Sequence, residues 1–422
     1  MGTSIILADD FTGAGDSGVH FARSGHRTAL LLDLDGLESE LPLYEALSLS
    51  SESRFLSMDD AARAVHSLAT RCVALGADIA FKKVDSTLRG NLGAEIEAVL
   101  EATGYAAALV CTAIPKIGRT SSGGRLFLHG VPLHETEIGR DPFNPVHTAE
   151  VAAIIAGQTN MVTGTLDLSA VRATPETLRE TVRAILENGC RIIVADAETD
   201  ADLAALGRLL REARREDLGL PRLLAVGAGG LAEAYTKADG AVTPALPCGR
   251  ILAVMGSLTT VSHEQADLAI ASGRFFPLIF DLDAGMADVQ TECSRLAQEA
   301  VQAGEKHLLL RAKPGTGHHR PNAEQGSRVA SLFGMATSAI CQATPCNVLF
   351  ATGGSTAVAV AGSLGVRAIQ LETECMPGIV LGSCAAQFGI QWFISKAGGF
   401  GLPKTLCELG ERFVPCKEKN AR

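Results

Sequence analysis

The stretch SIILADDFTGAGDSGVHFARSG, residues 4–25, decides how the chain is read: an apolar run, a turn carrying Asp9 and Asp10, then small and apolar residues at helical spacing. Gly13, Gly15 and Gly18 fall in it at Gly-x-Gly-x-x-Gly spacing, and a second apolar run, TALLLDLD, closes on Asp33 and Asp35. A dinucleotide-binding unit has this layout, its glycines admitting a pyrophosphate to a helix N-terminus and its acidic residue binding a ribose. Two carboxylates between strand and glycines would, however, repel a bare pyrophosphate. Carboxylates just past a strand end suit another task, accepting hydrogen bonds from the hydroxyls of a polyol or drawing a proton from one. The plainer alternative is that Asp9 or Asp10 caps the following helix.

The same alternation of short apolar run, Gly/Ser/Asp turn and Ala/Leu/Glu-rich helix repeats along the chain. Strands are expected at 4–8, 28–34, 79–84, 107–112, 191–195 and 223–226, with helices such as 59–75 and 175–188 between them. A second block opens at Arg250 and continues through strands at 306–311, 347–351 and 391–395. Parallel strands need crossover helices, so the fold class is α/β, with two domains that each carry a largely parallel sheet flanked by helices. A length of 422 residues exceeds one ordinary core. The segment GAVTPALPCG, 240–249, reads as the linker between domains at 1–239 and 250–415. The polar stretch 313–327, with His318 and His319, reads as a surface loop, and Trp392 in its apolar run as core.

A formal charge of −10 argues against a nucleic-acid duplex or a membrane surface as partner and favours a small metabolite. The chain enters an apolar strand at once, without a basic flank, and no apolar stretch reaches the roughly 20 residues of a membrane span, so a soluble cytoplasmic protein is expected. Eleven cysteines, Cys72 to Cys416, contain no CxxC pair, which fits reduced thiols better than disulfides or a zinc site, and no metal ligands are assigned.

A second dense stretch, FKKVDSTLRGN at 81–91, gathers Lys82, Lys83, Asp85, Ser86, Thr87, Arg89 and Asn91 after an apolar run. Two lysines and an arginine can clamp an acidic substrate while Asp85 receives hydroxyls; the alternative is a solvated strand end with Ser86 or Thr87 capping a helix. In the second block no GxxxxGK[ST] occurs, which excludes a Walker-type P-loop. Yet VMGSLTT, ATGGSTAVAVAGSLG and ISKAGGFG each put Gly and Ser after a strand, so the amides of Gly353, Gly354, Ser355 and Thr356, or of Gly398, Gly399 and Gly401 beyond Lys396, could cradle phosphates. One half would hold an acid bearing hydroxyls and the other a nucleotide, the layout of a two-domain kinase.

The segments ILADDFTGAGDSGVHFARSG, KKVDSTLRGN, GRTSSGGRLFLHGVPLHETEIGRDPFNPV, ATGGSTA, PGIVLGS and KAGGFG run in order from residue 5 to 401 and resemble the signatures of the four-carbon acid sugar kinase family. The resemblance implies ATP-dependent phosphorylation of the terminal hydroxyl of acids such as threonate, erythronate or 3-oxo-tetronate, with Mg²⁺, and an N-terminal domain for the acid. It implies substrate contacts from Asp10, Arg54 and Lys82, Lys83, Val84 and Asp85, and ATP contacts from Ser257, Gly353 to Thr356 and Gly398. The 3-oxo-tetronate members carry a Tyr-Cys-Ser-Thr-Phe-Asp-Ser-Thr style of sequence where this chain has Lys82 to Arg89, so threonate and erythronate kinases are the nearer match. Two positions depart from the family pattern: Gly15, usually Asn or Asp, and Ser355, commonly Glu or Asp.

On this reading Lys82, Lys83 or Arg54 binds the substrate carboxylate, Arg89 assists, and Asp10 or Asp85 orients the 4-hydroxyl and accepts its proton. The partners are a sugar acid and ATP, with no nucleic acid and no membrane, and assembly into a homo-oligomer stays open. The segment 118–145, with His129, His134, Glu135, Asp141 and Asn144, is a candidate lid or substrate loop in which His134 reads as structural. Two other readings stand beside this one: an NAD-dependent hydroxy-acid oxidoreductase on Gly13, Gly15 and Gly18, and a sugar-acid-binding protein without catalysis.

Overall fold

The computed structural model of the chain describes residues 2–141, 144–236, 246–257, 259–313 and 323–414. Its contacts divide it into two compact units, Met1–Thr28 with Leu37–Ala241, and Ala29–Gly36 with Val242–Arg422. His318, His319, Cys416 and the first six residues of the 240–249 linker lie outside the described residues.

The first unit is built on a parallel sheet in the order Ala46–Ser50, Ser4–Ala8, Asp78–Lys83, Leu223–Gly227, Ala107–Cys111, Ile192–Ala195, Thr163–Leu166. These strands are apolar because helices cover them, as crossover connections require. The Ser4–Ala8 strand has Ala46–Ser50 on one side and Asp78–Lys83 on the other, with Ala8 opposite both Ser50 and Lys83. From Ala46–Ser50 the chain crosses to Asp78–Lys83 on the far side of Ser4–Ala8, so the strand order reverses here, and open α/β sheets form their ligand crevice beyond the C-terminal ends of strands at such a point.

Helix boundaries follow their caps. Ser57 accepts from the Asp60 amide to start Met58–Ala74, and Thr174 with Pro175 starts Pro175–Glu187, each within a residue of the expected span. The strand expected at 28–34 stops at Leu31, because Asp33 accepts from the Asp35 amide and turns the chain into a short 3₁₀ segment, Leu34–Gly36. The Gly-x-Gly-x-x-Gly reading needs a larger correction. Asp10 is an N-cap, and Gly13, Gly15 and Gly18 lie inside the Phe11–Arg23 helix. The Asp10 carboxylate already takes the Gly13 amide at 2.8 Å, so the position a pyrophosphate would need is filled by a side chain of the same charge sign.

The segment 118–145 contains a small antiparallel sheet, Arg119–Ser122, Arg125–Leu128 and Val131–Pro132, followed by two 3₁₀ turns. It is fastened at Ser121, whose amide donates to the Ala197 carbonyl and whose hydroxyl accepts from the Ala197 amide. His134 is half-buried in the first of those turns, 3.8 Å from Glu135.

The second unit repeats the design. Its parallel strands run in the order Phe275–Phe280, His307–Ala312, Ile251–Met255, Val348–Thr352, Trp392–Lys396. Antiparallel strands Ile379–Cys384 and Ala368–Met376 extend it, and Ala29–Leu31 pairs along Ala368–Gln370. Trp392 is half-buried against the core that includes Phe275, Phe350 and Phe413. The cysteines among the described residues are free thiols, and no helix of the described residues is long and apolar enough to cross a membrane.

Candidate functional site

In the first unit the C-terminal ends of three adjacent strands deliver the charged residues singled out in the sequence. Ser4–Ala8 runs directly into Asp9 and Asp10, Ala46–Ser50 leads to Arg54, and Asp78–Lys83 ends on Lys82 and Lys83 with Asp85 just beyond. All six of these side chains are buried. Charges withdrawn from water to this degree call for partners, and among the described residues five of the six have specific ones, Lys83 being the exception.

Arg54 forks onto Asp9, Nε to Oδ2 at 2.8 Å and Nη2 to Oδ1 at 2.9 Å, and Nη2 also donates to Asp10 Oδ1 at 2.6 Å. Asp10 receives the Thr12 hydroxyl at 2.6 Å besides the Gly13 amide. Burial alone would raise its pKa, but Arg54, Lys83 and these hydrogen bonds prevail and hold it below the usual carboxylate range. Asp10 is thus a helix cap and a site carboxylate at once. Asp85 takes the Thr87 hydroxyl at 2.5 Å and Arg89 Nε at 2.7 Å, while Arg89 Nη1 reaches Asp141 at 3.2 Å. Burial again pushes upward, and Arg89 and Arg54 outweigh it, holding Asp85 well below the usual range. Both aspartates are carboxylates at neutral pH, able to accept hydrogen bonds.

The two lysines separate. Lys82 is fully enclosed, with Nζ 2.6 Å from Glu95 and 3.0 Å from the Lys83 carbonyl, and Glu95 in turn takes the Ser53 hydroxyl at 2.7 Å. Lys83 lies beside Asp10 and Gly13, and among the described residues its ammonium has no hydrogen-bond or ion-pair partner. Val84 is buried, its amide donating to the Gly227 carbonyl at 3.0 Å. Sequence reasoning missed Glu95, Ser53 and Arg119, the last a guanidinium at the base of the small antiparallel sheet that donates to the Ser86 hydroxyl. It also passed over the contact of the Asn144 amide with the Arg54 carbonyl at 3.2 Å. Arg119 sits in the quoted GRTSSGG segment, so the signal was present there.

In the second unit three glycine turns meet at the C-terminal ends of adjacent strands: Gly256–Ser257 after Ile251–Met255, Gly353 after Val348–Thr352, and 397–401 after Trp392–Lys396. Gly353 has φ of +94°, a conformation that side chains resist, and from there the helix Gly354–Ser363 begins with no side-chain cap, leaving the amides of Gly354, Ser355 and Thr356 without an acceptor among the described residues. The turns touch one another: a Cβ on Gly256 would collide with the Thr356 side chain, and one on Gly398 with the Ser257 hydroxyl. Ser257, Gly353 to Thr356 and Gly398 are therefore one cluster of small residues and open amides, the arrangement that receives an anion. Among the described residues no three His, Cys, Asp or Glu side chains are grouped to enclose a metal ion.

Residues 4–235 match the model of a sugar-binding N-terminal domain and residues 252–406 that of a nucleotide-binding C-terminal domain. The chain is 33% identical over 423 residues to a D-threonate kinase of Salmonella typhimurium, covering 96% of each chain. It is 30% identical over 436 residues to a D-erythronate kinase of Heliobacterium modesticaldum, again 96% of each, and 27% identical to a 3-oxo-tetronate kinase of Methylobacterium radiotolerans over 94% of this chain and 95% of that one. Among solved structures, a Salmonella typhimurium protein superposes with a TM-score of 0.78 at 20% identity, covering 98% of this chain and 100% of the other. A Haemophilus influenzae protein gives 0.70 at 20% identity, covering 96% and 99%. At that identity these two likenesses bear on the fold.

Proposed function

Because the chain belongs to the four-carbon acid sugar kinase family, we propose that it transfers the γ-phosphoryl group of ATP to the 4-hydroxyl of a four-carbon sugar acid, D-threonate or D-erythronate. The observation that carries this reading is the convergence of Asp10, Asp85 and a Lys83 ammonium that donates no hydrogen bond among the described residues, at the strand ends of the unit that matches a sugar-binding domain. Residues 1–239 would hold the acid and 250–415 the nucleotide, with the chain in the cytoplasm, where ATP is supplied.

Phosphoryl transfer asks an enzyme for alignment and charge neutralisation more than for covalent chemistry. Lys83 meets the substrate carboxylate. Arg54 and Arg89 fix the carboxylates of Asp10 and Asp85, leaving these two to orient the 4-hydroxyl and receive its proton as the new O–P bond forms. Lys82 stands behind this layer, paired to Glu95. Ser257, Gly353 to Thr356 and Gly398 receive the ATP phosphates through backbone amides. Magnesium bound with ATP would supply neutralisation of the phosphate charge.

The test is coupled detection of ADP release with D-threonate, D-erythronate and their stereoisomers. ADP release with one of the two named acids is expected. Binding of the acid without ADP release would leave a binding protein, and a hydroxy-acid-dependent change in NADH absorbance would return the oxidoreductase reading.

A further inference from the structure

Lys396 ends the last parallel strand of the second unit and is almost fully enclosed. Its ammonium donates to three backbone carbonyls of the turn that follows it: Ala397 at 3.0 Å, Gly398 at 3.1 Å and Phe400 at 3.1 Å. The Gly398 carbonyl is gripped twice more, by the Thr259 hydroxyl at 3.0 Å and the Ser262 hydroxyl at 3.1 Å. A trans peptide is planar with its N–H opposed to its C=O. Turning the carbonyls of Ala397, Gly398 and Phe400 inward therefore turns the amides of Gly398, Gly399 and Gly401 outward. None of those three amides has an acceptor within the described residues, whereas the neighbouring Phe400 amide is spent on Ala397 at 3.1 Å. Successive outward amides of this kind form an anion-binding concavity, and here it adjoins Ser257, against which Gly398 is pressed.

We propose that Lys396 is a positioning residue that sets the 397–401 turn as a phosphate cradle, drawing its carbonyls onto one ammonium so that its amides face the nucleotide. The inference rests on the kinase reading given above. The lysine also places a positive charge directly behind the cradle. Burial pushes its pKa down to about 7, and among the described residues no charged side chain forms an ion pair with it. The cradle should thus carry its full positive charge below neutrality and lose it above.

The experiment compares wild type with Lys396→Met and Lys396→Arg by calorimetric titration with Mg-ADP and, separately, with D-threonate and D-erythronate, at pH values from about 6 to about 8.5. For Lys396→Met, Mg-ADP affinity and KM for ATP are expected to worsen by about tenfold or more while sugar-acid affinity stays within about twofold. The wild-type to Met affinity ratio, in which the nucleotide's own titration cancels, should shrink as pH rises, and Lys396→Arg should recover part of the loss. Unchanged Mg-ADP affinity in Lys396→Met would overturn the proposal, as would a pH-independent ratio or equal losses for both ligands. Should the Met variant not fold, loss of Mg-ADP affinity in wild type between those pH values, with sugar-acid affinity steady, supports the proposal and a flat profile overturns it. Wild type that binds no Mg-ADP would overturn the kinase reading itself, and this inference with it.

Discussion

Strand alternation sends Lys82 and Lys83 to opposite faces of one sheet, and the two surroundings predict opposite phenotypes. Lys82→Met would strip the buried Glu95 of its counter-ion, where burial already pushes its pKa up and Lys82 opposes that, a loss of about 3–5 kcal/mol that denaturant unfolding would register. Lys83→Met removes an ammonium that donates no hydrogen bond among the described residues and acts on Asp10 through its charge alone, so the stability loss should be well below that of Lys82→Met while KM for the sugar acid rises about tenfold or more with KM for ATP unchanged. Equal destabilisation by both would sink the distinction. Asp85 offers a pH test. The unfolded chain takes up its proton near about pH 4, and the folded chain only well below, so the carboxylate's contribution to stability is complete above that value and is lost as pH falls toward the folded pKa. Asp85→Asn should flatten that acid limb. Whichever of Asp85 and Asp10 receives the hydroxyl proton, its Asn variant should lower kcat by about a hundredfold, as measured with saturating substrates. Wild-type kcat in both variants would remove that role. Such carboxylates were legible from their place after apolar runs. Glu95 was not, because its partners Ser53 and Lys82 are joined to it only by the folded register.

Among the elements, the first helix shows how a motif can mislead. Its glycines have dinucleotide spacing, yet they serve a helix buried on nearly every side, where the Ala14 carbonyl takes the Ser48 hydroxyl at 2.6 Å and Asp16 crowds Gly229. Spacing alone does not distinguish a glycine needed for a phosphate from one needed for close packing. Apart from 28–34, the strands and capped helices that were expected lie within a residue or two of their places because their runs and caps are local, whereas Ala46–Ser50, Thr163–Leu166 and Phe275–Phe280 were not read as strands. The antiparallel end of the second sheet was not legible either, since nothing in one strand names its neighbour. Two glycines convert this into a test. Alanine at Gly13 would press on Asp10 and Lys83, and alanine at Gly256 on Thr356. Gly13→Ala should raise KM for the sugar acid alone and Gly256→Ala KM for ATP alone, and crossed effects in steady-state kinetics would refute the assignment of the two sites.

For the whole molecule, each ligand should stabilise the native chain by about 2.7 kcal/mol at a hundred times its Kd. Hydrogen exchange would place the effect: the sugar acid should slow exchange within 4–235 and Mg-ADP within 252–406. Protection of the same unit by both ligands would contradict the division of labour.

The strand Ala29–Leu31 carries a consequence for anyone who cuts this gene. It lies near the start of the sequence, yet it pairs with Ala368–Gln370, and Ala29–Gly36 belongs with the second unit. The second half is thus encoded in two separated pieces. A chimaera joined at the 240–249 segment would inherit its 368–370 border from one parent and the strand covering it from the other. A truncation beginning there would leave that border bare, open to pairing with another copy. Swaps between relatives should carry residues 29–36 along with the C-terminal half, as a second insert.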